Sequence, residues 1–426
     1  MGFAAIVPRE DLAMDTEMTA PFTDPTIDQG VLVQPVIVET PEALDSLLKD
    51  LEGVTEIGVD TEADSFYSYK EKVCLLQLTI GQTDYLVDPL ADLDLSPLGK
   101  VFEDEAVVKI FHDGEFDVLI LGRDFGFHFR NIFDTRIAAA ALGIDSPGLA
   151  AVLDRYFGVE VDKSEQRSDW SRRPLKQSQI DYARLDTRYL MALKERMTAD
   201  LEEAGRRMIL DGECERLEDL EPVAREFDPD GYAKIKGVTE LSAAEKGVLK
   251  ELFILRDTVA EERDVPPFKV MGNHVLMELA TRMPSTMNEI DGVKGFPKGR
   301  RRSLGRDALS AVQRGRQTPI TKGVQPKTRT PRMDDEPFEI HERLRSWRRS
   351  RAEKEGMDSS LVLNRHVMLR IALDGPTTLA DLSKVDGLRS WQLEHFGDDI
   401  VHLMLTFAAD LAAGRIDFDR RNKRRR

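Results

Sequence analysis

Two acids set two residues apart are the first sign of chemistry in this chain. Ile57-Gly58-Val59-Asp60-Thr61-Glu62 is an apolar run carrying Asp-x-Glu. On a strand, positions i and i+2 share a face, so Asp60 and Glu62 would converge on one point. Two like charges held together are costly unless a cation sits between them. A second group lies in Lys109-Ile110-Phe111-His112-Asp113-Gly114-Glu115-Phe116-Asp117, where a strand ends at His112 and a helix follows. The helix dipole accounts for acids at Asp113 and Glu115, but Asp117 stands among Phe116, Val118 and Leu119. The third group is Asp181-Tyr182-Ala183-Arg184-Leu185-Asp186, where Tyr182 and Asp186 are four apart on one helical face. Taken singly, the Asp-x-Glu and Tyr-x-x-x-Asp motifs fit a solvated surface pair better than a site.

The elements that must position these residues can be read from periodicity. Strands are expected at Val33–Val38, Glu56–Val59, Val73–Ile80, Tyr85–Val87 and Val107–Phe111. Helices are expected at Pro41–Leu51 (after a Thr40 cap), Leu98–Phe102 and Glu115–Arg123, with mostly helical pattern from Ile132 to Ala204. Strands with helices threaded between them make residues 31–215 an α/β domain. Residues 1–30 read as an acidic flexible tail and 216–240 as a polar linker. Beyond the linker the chain repeats itself. At a shift of 92 residues, Leu252, Arg256, Ala260, Val270, His274 and Pro284 meet Leu344, Arg348, Ala352, Val362, His366 and Pro376. Two small all-α domains are therefore expected at 241–317 and 338–413, joined by a linker at 318–337 and followed by a basic tail at 414–426.

Composition bounds the function. The chain has 426 residues, enough for about three domains. Its net charge of -17 argues, as an average, against a nucleic-acid binder. The average hides a division: acids crowd the first 64 residues, while between Lys294 and Arg332 Asp307 is the single acid among many bases. Within that basic stretch Arg300, Arg301 and Arg302 follow Gly299 in an expected loop and are candidate phosphate contacts. Cys74 and Cys214 are the only cysteines, too few for a disulfide framework or a Cys-rich zinc site. No signal peptide and no apolar stretch long enough to span a membrane are apparent, so a cytoplasmic protein with no membrane association is expected.

In their order the three motifs resemble those of the DEDD exonuclease superfamily, tyrosine subclass, and more closely the ribonuclease D family. The matching residues are Asp60-Thr61-Glu62, Cys74-Leu75-Leu76-Gln77-Leu78, His112-x-Gly114-x-x-Asp117, Ser168-Asp169-Trp170 with Arg173-Pro174-Leu175, and Tyr182-x-x-x-Asp186. The paired helical domains resemble the HRDC domain, which that family carries twice. The resemblance spans roughly residues 35–413. It implies an α/β exonuclease domain with a ribonuclease H-like, DnaQ-like mixed sheet and flanking helices, followed by two small all-α HRDC domains. It also implies a metal-dependent 3′–5′ exoribonuclease that releases nucleoside 5′-monophosphates, with transfer-RNA precursors and other stable RNAs as substrates. Asp60, Glu62, Asp117 and Asp186 would hold two divalent ions, Mg²⁺ or Mn²⁺, whose hard character suits oxygen ligands. Tyr182 would position the attacking water, and His112, Phe66 and Trp170 would contact or stack on the RNA end. A DNA exonuclease of the same superfamily is the alternative, followed by a non-catalytic RNA-binding scaffold, whose mark would be a lost carboxylate. No obligate protein partner is legible, and with no coiled-coil pattern a monomer is the expectation.

Overall fold

The computed structural model describes residues 34–222, 226–297, 299, 301–321, 334–416 and 418. The expected acidic tail, most of the linker at 318–337 and most of the basic end lie outside these residues. Among those described, no helix is long and apolar enough to cross a membrane.

Six strands make one sheet: β1 (Val36–Val38), β2 (Glu56–Ala63), β3 (Val73–Ile80), β4 (Thr83–Val87), β5 (Val108–Phe111) and β6 (Ile132–Asp134). Their order is β1-β4-β3-β2-β5-β6, so β2 lies inside the sheet. β3 runs antiparallel to β2 and β4, and the other pairings are parallel. β3 is buried from Val73 through Thr79, which explains its near-continuous apolar run. Eight helices accompany the sheet: α1 (Pro41–Asp50), α2 (Ser96–Glu103), α3 (Glu115–Phe125), α4 (Thr135–Ala141), α5 (Leu149–Phe157), α6 (Gln177–Arg188), α7 (Leu190–Glu203) and α8 (Arg207–Glu218). α1 starts as its sequence predicts, with the Thr40 hydroxyl accepting from the Ala43 amide and Pro41 in the first turn. α6 is fixed to the sheet by a buried ion pair, in which Arg184 reaches Asp84 at 2.9 Å with each side chain 2% exposed. Thr79 also donates to Asp84, at 3.0 Å.

The repeat appears as two similar sets of helices. The first comprises α9 (Ala243–Glu262), α10 (Pro267–Val270), α11 (Asn273–Arg282), α12 (Met287–Asp291) and α13 (Arg301–Gln317). The second comprises α14 (Asp335–Glu355), α15 (Ser359–Val362), α16 (Arg365–Asp374), α17 (Leu379–Leu382) and α18 (Ser390–Ala412). They attach differently. The first set has its own core, with Val248, Leu252, Leu276 and Leu279 at its centre. The core of the second, including Leu344, Ile371, Trp391 and Phe407, is continuous with that of the sheet domain. The joint is close. Arg206, itself buried, donates to the carbonyls of Ala141 (2.9 Å), Gly356 (3.3 Å) and Glu355. Gly143 has φ +73, and a Cβ there would stand 2.0 Å from the Gly356 oxygen, so only glycine lets the two domains meet.

Several expectations need correction. Ile132–Asp134 is a strand, not the start of a helical stretch, because it pairs with β5. The polar linker at 216–240 is partly structure. α8 runs to Glu218, and two 3₁₀ turns, Gly231–Lys234 and Val238–Glu240, bury Tyr232 and Val238 in the first helical core. Arg301 and Arg302 begin α13 rather than occupying a loop, and Arg300 lies outside the described residues. Of the surrounding basic segment, Arg314 pairs with Glu251 at 2.7 Å and Arg316 donates to the Met283 carbonyl, so both serve their own domain.

Candidate active site

β2 and α6 bring three of the expected acids together. Oxygens of Asp60, Glu62 and Asp186 lie within 4.8 Å of one another. Tyr182, one turn before Asp186 on α6, lines the same cleft of about 350 Å³. Asp117, in the first turn of α3, is 5% exposed and accepts a hydrogen bond from the Thr61 hydroxyl at 2.5 Å. It stands outside the group of three, but its charge acts on Asp60.

The electrostatics follow from crowding like charges out of water. Burial, then the charges of Asp117 and Asp186, hold the Asp60 carboxyl well above its ordinary range. Burial, then Asp186 and Asp117, push Glu62 up to about 9. Asp186 rises to about 7 through burial. Asp117 also rises to about 7, burial outweighing its bond from Thr61. The Tyr182 phenol is pushed above its ordinary value by burial and by Asp186, Glu62 and Asp60. A set of hard oxygen donors whose mutual repulsion needs cancelling fits a divalent cation such as Mg²⁺ or Mn²⁺. Across from Asp60 in the β2–β3 ladder, the buried Gln77 amide has no hydrogen-bond partner among the described residues, so a polar atom is spare beside this set.

The far wall of the cleft is the turn between β5 and α3. Asp113 has φ +65, and a Cβ on Gly114 would stand 2.6 Å from the Phe111 side chain. This strained turn is tied down by Asp134, at the start of α4. Its carboxylate accepts from the amides of Asp113 (3.2 Å), Gly114 (2.7 Å), Arg136 (2.8 Å) and Ile137 (3.1 Å). Arg136 also lines the cleft and pairs with Asp113 at 3.5 Å. His112 lines it too, with Nδ1 2.9 Å from the Thr135 hydroxyl. Burial lowers its pKa to about 4, so it is neutral at pH 7.

The remaining expected site residues divide. Trp170 is 1% exposed in a small core with Cys74, Leu75 and Ala183, so it cannot stack on a base. Its ring centroid is 6.0 Å from that of Tyr182, so it supports the tyrosine instead. Nearby, Arg173 reaches Asp88 at 2.5 Å and the Cys74 carbonyl at 2.6 Å, so that motif braces α6 against the sheet. Phe66 is 47% exposed, with the Arg167 guanidinium 5.9 Å from its ring, and lies outside the cleft lining. Sequence reasoning missed Thr61, Asp134, Arg136 and Lys163. Thr61 could have been suspected from its place between two acids. The other three have no spacing signal: Arg136 in α4 and Lys163 in a loop reach the cleft, and Asp134 at the end of β6 braces its wall, only through the tertiary fold.

Residues 35–202 match a family model described as 3′-5′ exonuclease, and residues 245–312 and 338–403 each match the HRDC domain. The chain is 30% identical over 374 residues to ribonuclease D of Sphingobium indicum, covering 86% of this chain and 92% of that protein. It is 29% identical over 367 residues to ribonuclease D of Nitrobacter hamburgensis, covering 85% and 93%. The crystal structure of Escherichia coli RNase D, an exoribonuclease involved in structured RNA processing, is similar with a TM-score of 0.65 and 26% identity, covering 88% of this chain and 99% of that one.

Proposed function

The chain belongs to the ribonuclease D family, and from that premise we propose that Asp60, Glu62, Asp117, Tyr182 and Asp186 carry out its reaction. It is a 3′–5′ exoribonuclease that acts on RNA and uses divalent metal. The observation that carries the site assignment is the convergence of Asp60, Glu62 and Asp186 within 4.8 Å beside Tyr182. When bound, divalent cations offset the charge that builds on the scissile phosphate and its attacking and leaving oxygens.

Asp60, Glu62 and Asp186 would hold the cations directly, with Asp117 next to them and kept in place by Thr61. We favour two ions, Mg²⁺ or Mn²⁺, since the four acids exceed what one ion needs once water is counted. Tyr182, kept protonated by burial and then by the carboxyl groups beside it, orients the attacking water by a hydrogen bond and does not remove its proton. Neutral His112 and cationic Arg136 face the RNA end from the opposite wall. The product is a nucleoside 5′-monophosphate. The favoured substrates are transfer-RNA precursors and other stable RNAs with a free 3′ hydroxyl, met in the cytoplasm by a monomer.

The test is a 3′-labelled transfer-RNA precursor incubated with Mg²⁺, Mn²⁺ or chelator. Asp186→Asn should abolish metal-dependent release of monophosphates. Tyr182→Phe should slow it about 10²-fold with KM little changed, the loss expected when the attacking water is no longer oriented. Full activity in Asp186→Asn would remove this site from the reaction.

A further inference from the structure

A second cleft, of about 680 Å³, opens where the second helical domain meets the exonuclease domain. Ala140, Gly143 and Pro147 form one wall, and Arg345, Arg348 and Arg349 on α14 form the other. Pro147 lines this cleft, while the next residues, Gly148, Leu149 and Ala150, line the catalytic one. The two clefts therefore border the same stretch of chain, Pro147 to Ala150.

The internal repeat shows what these arginines are for. At the shift of 92, Arg345, Arg348 and Arg349 correspond to Phe253, Arg256 and Asp257. Arg256 and Arg348 do the same work: each donates from Nη1 to a carbonyl at matched positions, Met271 at 3.3 Å and Leu363 at 3.0 Å. Arg348 is thus structural. The other two positions differ. In the first domain Phe253 stacks on Phe227, with centroids 5.6 Å apart, and Asp257 accepts from the Tyr69 hydroxyl of the exonuclease domain at 2.7 Å. That helix face is the one turned toward the exonuclease domain. In the second domain the same face carries Arg345 and Arg349, over open space.

These two charges are poorly satisfied within the chain. Arg345 has an exposed pair with Glu342 at 3.3 Å, the kind that contributes little. Arg349 has no ion pair or hydrogen bond among the described residues, although Glu353 is one turn away. Like charges at i and i+4 destabilise a helix, so the pair costs stability unless an anion is shared between them. The acids nearby do not supply it. Asp358 is occupied capping α15, accepting from the Ser360 amide at 2.7 Å and hydroxyl at 2.6 Å, while Asp145 and Glu353 are exposed. Planar guanidinium forks match phosphate oxygens.

We infer that this cleft binds the phosphodiester backbone of the RNA upstream of the scissile end, through Arg345 and Arg349. The inference rests on the exoribonuclease reading above. It makes the second helical domain, and not the basic segment at 294–332, the one that grips substrate near the catalytic centre.

The test uses the full chain with Arg345→Glu and Arg349→Glu, made separately since both residues are exposed. Hydrolysis of a dinucleotide and of an unstructured RNA of about 12 nucleotides is followed, with anisotropy binding of the longer RNA in parallel. Either substitution should raise KM and Kd for the longer RNA about tenfold. It should also lower the slope of log affinity against log salt by about 0.7 for each phosphate left without its arginine, and leave the dinucleotide unaffected. Arg349→Lys should retain most of the affinity. Unchanged binding of the longer RNA, or an equal loss on both substrates, would overturn the inference. A chain that cleaves neither substrate yet loses affinity on Arg349→Glu would instead retain the cleft and overturn the catalytic reading.

Discussion

At the scale of single residues the notable feature is how far the site acids depart from ordinary carboxyls. Their folded values lie above the usual ~4, so protonation favours the folded state. That contribution is fully present below about pH 4 and is lost as pH rises through about 7 for Asp117 and Asp186, then about 9 for Glu62. The metal-free protein should therefore melt at a lower temperature at about pH 8 than at about pH 5. Added Mg²⁺ or Mn²⁺ should recover more of the loss at the higher pH. Scanning calorimetry in chelator, then with metal, checks this. A metal-free Tm that rises over the same interval would contradict the crowding of these acids. The pairs Asp60 with Glu62 and Tyr182 with Asp186 were legible because spacing of two on a strand and four on a helix encodes a shared face, whereas Asp117 and the grouping of all five came from the order of the motifs and their resemblance to the ribonuclease D family. Thr61 was not legible, since its partner Asp117 is 56 residues away.

At the scale of elements, the site depends on how α6 lies on the sheet. Arg184 and Asp84 are both buried, so removing Arg184 strips Asp84 of its nearest cation and leaves it Arg188 at 3.6 Å and the Thr79 hydroxyl. Arg184→Ala should destabilise the fold by about 3–5 kcal/mol and depress activity as Tyr182 and Asp186 lose their platform. Urea denaturation measures the first effect; a cost under about 1 kcal/mol would show that the pair does not hold the helix. Most elements were readable because long periodic runs declare themselves, as β3 does. β6 did not, because three residues carry no period and its identity comes from pairing with β5. Trp170 shows the same limit in a side chain: residue type suggests stacking, and only the packing around it shows that it faces the core.

At the scale of the whole molecule, the repeat was legible but the unequal attachment of its two copies was not, because docking is decided by residues far apart in sequence. Arg206 is the test. Arg206→Ala removes, from a buried position, two interdomain hydrogen bonds (to Glu355 and Gly356) and one within the sheet domain (to Ala141). It should cost about 3 kcal/mol or more and expose the 338–413 domain to limited proteolysis well before the sheet domain. Equal protease resistance of the two would mean that apolar packing alone holds the joint. The continuous core has one more consequence. A ribosome delivers the catalytic domain first and the helices that complete its core last. The nascent chain must therefore carry an uncovered apolar face past a whole self-sufficient helical domain before it can close, which makes synthesis the stage at which this enzyme is most exposed to aggregation.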